Sequence, residues 1–248
     1  MRRRHATPIA LPHLLVAQTM QSRDAVLLCE RCFESAAPMC DQLALSIGAT
    51  RRSALSKRRQ VAAAATAAQR HPWDLSPFQT CWCAEGCTAA YCSDACRVAH
   101  AEEHALLCEG DGAVASPARA LHSLARSLSE TLLLGAKAVA AAVACAIRCD
   151  GPSAVAREAE AAAARLGAAC VSGDGATQMW WEVVAERGIK GSSKRRHALE
   201  EAADEAWQLL ATALRLSLPS DLIEHLAPLL DRSLYCRLLA AIERSELG

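Results

Sequence analysis

Four pairs of metal-ligating residues between Cys29 and Cys108 constrain this chain more than anything else in its sequence. They read Cys29-Glu-Arg-Cys32, Cys83-Ala-Glu-Gly-Cys87, Cys92-Ser-Asp-Ala-Cys96 and His104-Ala-Leu-Leu-Cys108. Cysteines two or three residues apart, closed by a His-x3-Cys step, are what tetrahedral zinc demands, because each short gap lets one turn offer two donors to the same ion. Eight ligands imply two zinc ions. Four protein ligands per ion leave no position for water, so the expected role of the metal is structural.

Ser93 and Asp94 are good helix starters, and the residues after them can stay helical through Cys108. On such a helix Cys92 and Cys96 lie about one turn apart, as do His104 and Cys108, but roughly 12 Å of rise separates Cys96 from His104. Zinc bonds of about 2.0–2.3 Å cannot span that distance. The two pairs therefore serve different ions, each completed by Cys29/Cys32 or by Cys83/Cys87. Spacing leaves that choice open. Cys81, two residues before Cys83, competes with it as a ligand, and Cys83 is preferred. His100, a turn from both Cys96 and His104, reads as a solvated helix histidine. Cys40, Cys145, Cys149, Cys170 and Cys236 have no partner at ligand spacing and are expected as small core residues.

The 27 basic and 27 acidic side chains cancel, so no global field draws the protein to nucleic acid or to an anionic membrane. Lys57-Arg58-Arg59 and Lys194-Arg195-Arg196 lack interleaved aromatics and read as solvated faces or localisation signals. Pro8, Pro12 and His13 break the apolar run after Met1-Arg-Arg-Arg-His5, which argues against a secretory segment. With that and an odd number of cysteines, thirteen, reduced metal-binding thiols in the nucleus, the cytoplasm or both are the expectation. The 52% hydrophobic content is largely alanine and only 4% is aromatic, a composition suited to helices packed closely through small side chains. The Ala-rich stretch at 132–147 contains Lys137 and reads as a buried helix, with no membrane association expected.

Along the chain, residues 8–18 form a short apolar run bounded by prolines and predict an edge strand. Residues 41–80 are a basic and alanine-rich insertion into the cysteine cluster. From Leu121, the apolar positions Leu124, Leu128, Leu132, Val139, Val143 and Ile147 predict one helix with a core face, ended by Asp150-Gly151-Pro152. Further helices are predicted over about 153–168, 177–187, 195–216 and 219–245.

With Cys29-x2-Cys32 upstream, the string Cys83-x3-Cys87-x3-Tyr91-Cys92-Ser93-x2-Cys96-x7-His104-x3-Cys108 resembles the MYND-type zinc finger. The resemblance implies interleaved ligands. Cys29, Cys32, Cys92 and Cys96 would hold one Zn(2+), and Cys83, Cys87, His104 and Cys108 the other. It also implies a protein or peptide partner, proline-containing in fingers of this type. Two departures stand out: Ala101 occupies the place of the usual tryptophan three residues before the ligand histidine, which removes a packing anchor, and the gap from Cys32 to Cys83 is long. A long loop costs little entropy.

The resemblance extends to SET- and MYND-domain lysine methyltransferases, the plant and algal trithorax-related members above all, in which the finger interrupts a SET domain. Leu14-Leu15-Val16-Ala17-Gln18 before the first pair, Ser129 to Lys137 after the last, Trp180-Trp181 and the segment Leu234 to Leu247 are similar to parts of those proteins. The implied organisation is a SET-like strand remnant at 1–28, a MYND-type finger at 29–108 and a helical insert at 113–248. The fold class expected is mainly α. The glycine-rich cofactor segment and the Asn-His-Ser-Cys type motif of the family do not appear, Tyr91 belongs to the finger and Tyr235 to a predicted helix. The chain is thus expected to lack catalytic residues and to act as a zinc-binding interaction module. The alternative is one part of an S-adenosylmethionine-dependent lysine methyltransferase whose catalytic residues lie outside it.

Overall fold

A computed structural model describes residues 27–37, 80–171, 178–186 and 193–245. The edge strand expected at 8–18, Cys40 and all of the 41–80 insertion but Thr80 lie outside the described residues. The architecture is mainly α, with eight α-helices and one two-stranded sheet among the described residues. Contacts divide the described residues into a cysteine-rich unit (27–37, 80–104 and 110–112) and a helical unit (105–109 and 113–245).

In the cysteine-rich unit, strand β1 (Cys81–Trp82) pairs antiparallel with β2 (Ala90–Tyr91), Cys81 opposite Tyr91 and Trp82 opposite Ala90. A tighter hairpin precedes it. Leu28 bridges to Ser35, and the Cys29 N–H donates to the Glu34 carbonyl at 2.8 Å. Phe33 closes that turn in the left-handed region, at φ 62°. The Glu30 N–H donates to the Ala90 carbonyl at 3.0 Å and lays the first hairpin against β2. Helix α1 follows as Asp94–Ala105.

The helical unit runs α2 (Ala115–Ser127), α3 (Thr131–Ile147), α4 (Pro152–Ala169), α5 (Trp180–Glu186), α6 (Ser193–Ser217), α7 (Ser220–His225), a 3-10 turn at Ala227–Leu230 and α8 (Arg232–Ser245). Thirteen of the seventeen residues of α3 are buried, the part-exposed Leu134, Lys137 and Cys145 share one side, and α2, α4, α6 and α8 all pack against this helix. Alanines make that possible. Gly135 carries the logic furthest: a Cβ placed there would meet Leu239 Cδ2 at 2.5 Å and Tyr235 Cε2 at 3.1 Å. No helix among the described residues is long and apolar enough to cross a membrane.

Polar side chains join the helices at a few buried points. The Glu243 carboxylate accepts from Thr131 Oγ1 at 2.8 Å and from Trp180 Nε1 at 3.1 Å, linking α8 to α3 and α5. Tyr235 donates its hydroxyl to the Leu132 carbonyl at 2.7 Å. Arg232 of α8 pairs with Asp204 of α6.

Two predicted helices are each divided. The helix expected from Leu121 to Ile147 begins earlier, at Ala115, and breaks between Ser127 and Thr131. Leu128, counted as a core position by periodicity, is 55% exposed, and the Ser129 hydroxyl takes the Thr131 N–H at 3.3 Å, offering the backbone a non-helical partner. The helix expected at 219–245 is interrupted at Ala227–Leu230. Pro228 has no N–H to donate, and the Asp231 carboxylate restarts the helix by accepting from the Ser233 and Leu234 N–H groups. Pro228 and Asp231 were the signals available for that break. Among the spare cysteines, Cys170 and Cys236 are buried, whereas Cys145 and Cys149 are only half-buried.

Candidate metal centre

The site is assembled by two hairpins and one helix. Ser93 starts α1 by accepting the Cys96 N–H on its hydroxyl at 3.2 Å, and Asp94 in the first turn suits the positive end of the helix. That cap sets Cys92 and Cys96 side by side, their sulfurs 3.6 Å apart. The hairpin laid against β2 brings in a second pair of thiols. Cys32 Sγ lies 3.5 Å from Cys92 Sγ and 3.9 Å from Cys96 Sγ. Cys29, fully buried, completes a group whose four sulfurs all lie within 4.8 Å of one another.

A second group forms from Cys83, Cys87, His104 and Cys108, again with all four ligand atoms within 4.8 Å. The loop between β1 and β2 shapes its first half. The Cys83 N–H donates to the Ala89 carbonyl at 3.1 Å, and the Ala89 N–H donates to Cys87 Sγ at 3.4 Å. His104, in the last turn of α1, presents Nε2 at 3.1 Å from Cys83 Sγ and 3.3 Å from Cys87 Sγ. Cys108 was expected to extend the helix. Instead α1 stops at Ala105, Leu106 and Leu107 turn into buried positions, and the cysteine is offered from non-helical chain.

These distances suit a metal. A tetrahedron with metal–sulfur bonds of about 2.3 Å has sulfur–sulfur edges of about 3.8 Å, and replacing one sulfur by nitrogen at about 2.0 Å shortens the edge to about 3.5 Å. The charge balance points the same way. Burial alone would raise Cys29, but N–H groups of Cys92, Cys32 and Arg31 donating to its sulfur bring it down to about 7. Cys92 moves the opposite way. Burial, and then the neighbouring thiols of Cys32 and Cys96, push it up to about 12, and burial also raises Cys32. One thiolate is welcome in this group and further ones repel it, a conflict that a divalent cation at the centre relieves by deprotonating the set together.

Tyr91 supports the second group. It is 1% exposed, meets the His104 ring edge-on at 6.3 Å and hydrogen-bonds His100 Nδ1 through its hydroxyl at 3.1 Å. His100 Nε2 in turn lies 3.4 Å from Glu103, and its side chain is 12% exposed. The reading of His100 as a solvated histidine is therefore wrong. It belongs to neither ligand group but packs on the aromatic ring beside one. Its place one turn before His104 was the available signal. Cys81 likewise falls in neither group and sits in β1 opposite Tyr91. Ala101, in the place of the expected tryptophan, is exposed on α1.

Comparison with protein-family models, with curated proteins and with solved structures returned no match. The chemistry thus rests on the site itself. Two groups of four Cys/His side chains can each hold a metal ion. With four protein donors per group, an ion there closes loops onto a helix and leaves no open position at which to activate water.

Proposed function

We propose that this chain is a zinc-binding protein-interaction module of the MYND type. The observation that carries the reading is the alternation of the groups along the chain, Cys29/Cys32 with Cys92/Cys96 and Cys83/Cys87 with His104/Cys108. Thiolate and imidazole donors at tetrahedral spacing favour zinc over the hard cations, which prefer oxygen. In this role each ion contributes on the order of 10 kcal/mol to folding a small unit that buries little apolar surface of its own. None of the twelve residues of α1 is buried, so metal bonds at Cys96 and His104 take the place of a core.

The partner we propose is a protein segment, proline-containing as in fingers this one resembles. Val98 is 62% exposed on the outer face of α1, with Ala95 and Ala101 exposed beside it and Asp94 and Glu102 flanking it, a mixed surface whose small apolar centre supports such docking. Metal analysis of the purified chain is expected to find two zinc ions, and one or none would refute the reading. Titration with proline-containing peptides is expected to show binding that disappears on chelation. Calorimetry with S-adenosylmethionine is expected to be silent; a binding isotherm would favour the methyltransferase alternative.

A further inference from the structure

The residue next to the last ligand is held from an unexpected direction. Glu109 follows Cys108 in the chain, and two side chains from successive turns of α2 fasten it. Arg119 donates its Nε–H to the Glu109 carbonyl at 2.7 Å, and His122 Nδ1 lies 3.0 Å from the Glu109 carboxylate. The histidine half of the clamp is protected, whereas Arg119 reaches the Glu109 carbonyl from an exposed position. The His122 side chain is 8% exposed and that of Glu109 21%, while Leu106, Leu107 and Cys108 on the other side of Glu109 are all buried. One contact fixes the backbone of Glu109 and the other its side chain, so the peptide that carries Cys108 has little freedom to turn its sulfur elsewhere.

We propose that Arg119 and His122 are positioning residues for the metal group of Cys83, Cys87, His104 and Cys108. The inference rests on the reading of that group as a zinc site. Neither residue donates to the metal. Each acts through Glu109 on the placement of Cys108, which follows the end of α1 in chain without regular secondary structure, as do the ligands ahead of that helix. A ligand without regular secondary structure depends on outer contacts for its aim, and loss of such contacts typically weakens metal affinity about 10- to 100-fold. The group of Cys29, Cys32, Cys92 and Cys96 has no residue in this clamp and is expected to be indifferent to it.

The test uses the full chain and reads the two groups separately. Cobalt(II) substitution distinguishes them, because four thiolates and three thiolates with one imidazole give different visible spectra. Competition with a chromophoric chelator then gives the affinity of each. In His122→Ala and Arg119→Ala the cobalt band of the three-thiolate group is expected to be lost about 10- to 100-fold more readily than in the unaltered chain, with the four-thiolate band unchanged. His122→Gln, which keeps an N–H donor, is expected to recover most of the affinity. Gly135→Ala, which disturbs α3 against α8 far from Glu109 in sequence, serves as the control for general loss of stability and is expected to leave both bands in place. Equal weakening of both groups, no weakening of either, or the same selective loss in Gly135→Ala would overturn the proposal. If the unaltered chain itself fails to bind two ions, the zinc reading falls, and this inference with it.

Discussion

Cys32 Sγ and Cys92 Sγ lie 3.5 Å apart although sixty residues separate them in the chain. That contact joins the first hairpin to the start of α1 and makes one group of what are, in sequence, two distant pairs. Cys92→Ala is expected to reduce bound zinc from two ions to one, with the remaining ion held by Cys83, Cys87, His104 and Cys108. Metal analysis after gel filtration reads the stoichiometry directly. Retention of two ions would show that Cys92 is not a ligand.

A methyl group at position 135 tests the close approach of α3 and α8. Because a Cβ there would sit 2.5 Å from Leu239 Cδ2, the helices must separate or the leucine must leave its rotamer. Overpacking of this kind costs about 1–3 kcal/mol. Gly135→Ala should therefore lower the urea midpoint of the helical unit, and a midpoint unchanged or raised would mean that the interface yields freely.

The Glu243 carboxylate draws together residues from three helices, and its removal should be felt at two of them. Glu243→Ala takes the acceptor from both Thr131 Oγ1 and the Trp180 indole in a buried setting. Buried donors left without a partner cost about 1–3 kcal/mol each. Glu243→Gln keeps an acceptor oxygen and is expected to lose less. Chemical unfolding followed by tryptophan fluorescence ranks the two variants; equal losses would mean that the carboxylate contributes by volume alone.

Alkaline sensitivity follows from two buried acids side by side on α8. Burial pushes the Cys236 thiol up to about 11 from its ordinary 9.0, against a smaller pull downward from Arg232, and burial also raises Tyr235. The raised folded-state value means that the folded chain keeps its proton where the unfolded chain releases it. Stability from this source is whole below about pH 9 and declines as pH rises toward 11, by on the order of 2–3 kcal/mol for Cys236. Cys236→Ala is expected to flatten that decline in thermal melts recorded from pH 8 to 11. A decline of undiminished slope would place the cause elsewhere.

Much of the helical unit was legible because its signals are local. Pro152 after Gly151 and the alanine-rich run before it mark the ends of α4 and α3 without reference to any distant residue. Periodicity failed at Leu128, where an apolar side chain in register proved to be exposed, since a regular pattern does not tell which residues find a neighbour. His100 was misread for the same reason. Its partner Tyr91 lies on another element, and the eight residues between them carry no sign that they meet.

The sequence by itself determined that Cys96 and His104 cannot share an ion, because helical rise is a property of any chain and eight residues of it exceed the reach of two zinc bonds. It determined equally that the described residues from Ala115 onward are mainly helical. Only the tertiary structure decided which distant pair completes each group, since that depends on the hairpin at Cys29–Glu34 lying against β2 through the Glu30–Ala90 hydrogen bond. It also decided that Glu243 meets Thr131 across 112 residues of separation. Spacing governs what one turn can present to a ligand; contacts between turns far apart in the chain arise from burial and hydrogen bonding of the whole fold, which no single segment encodes.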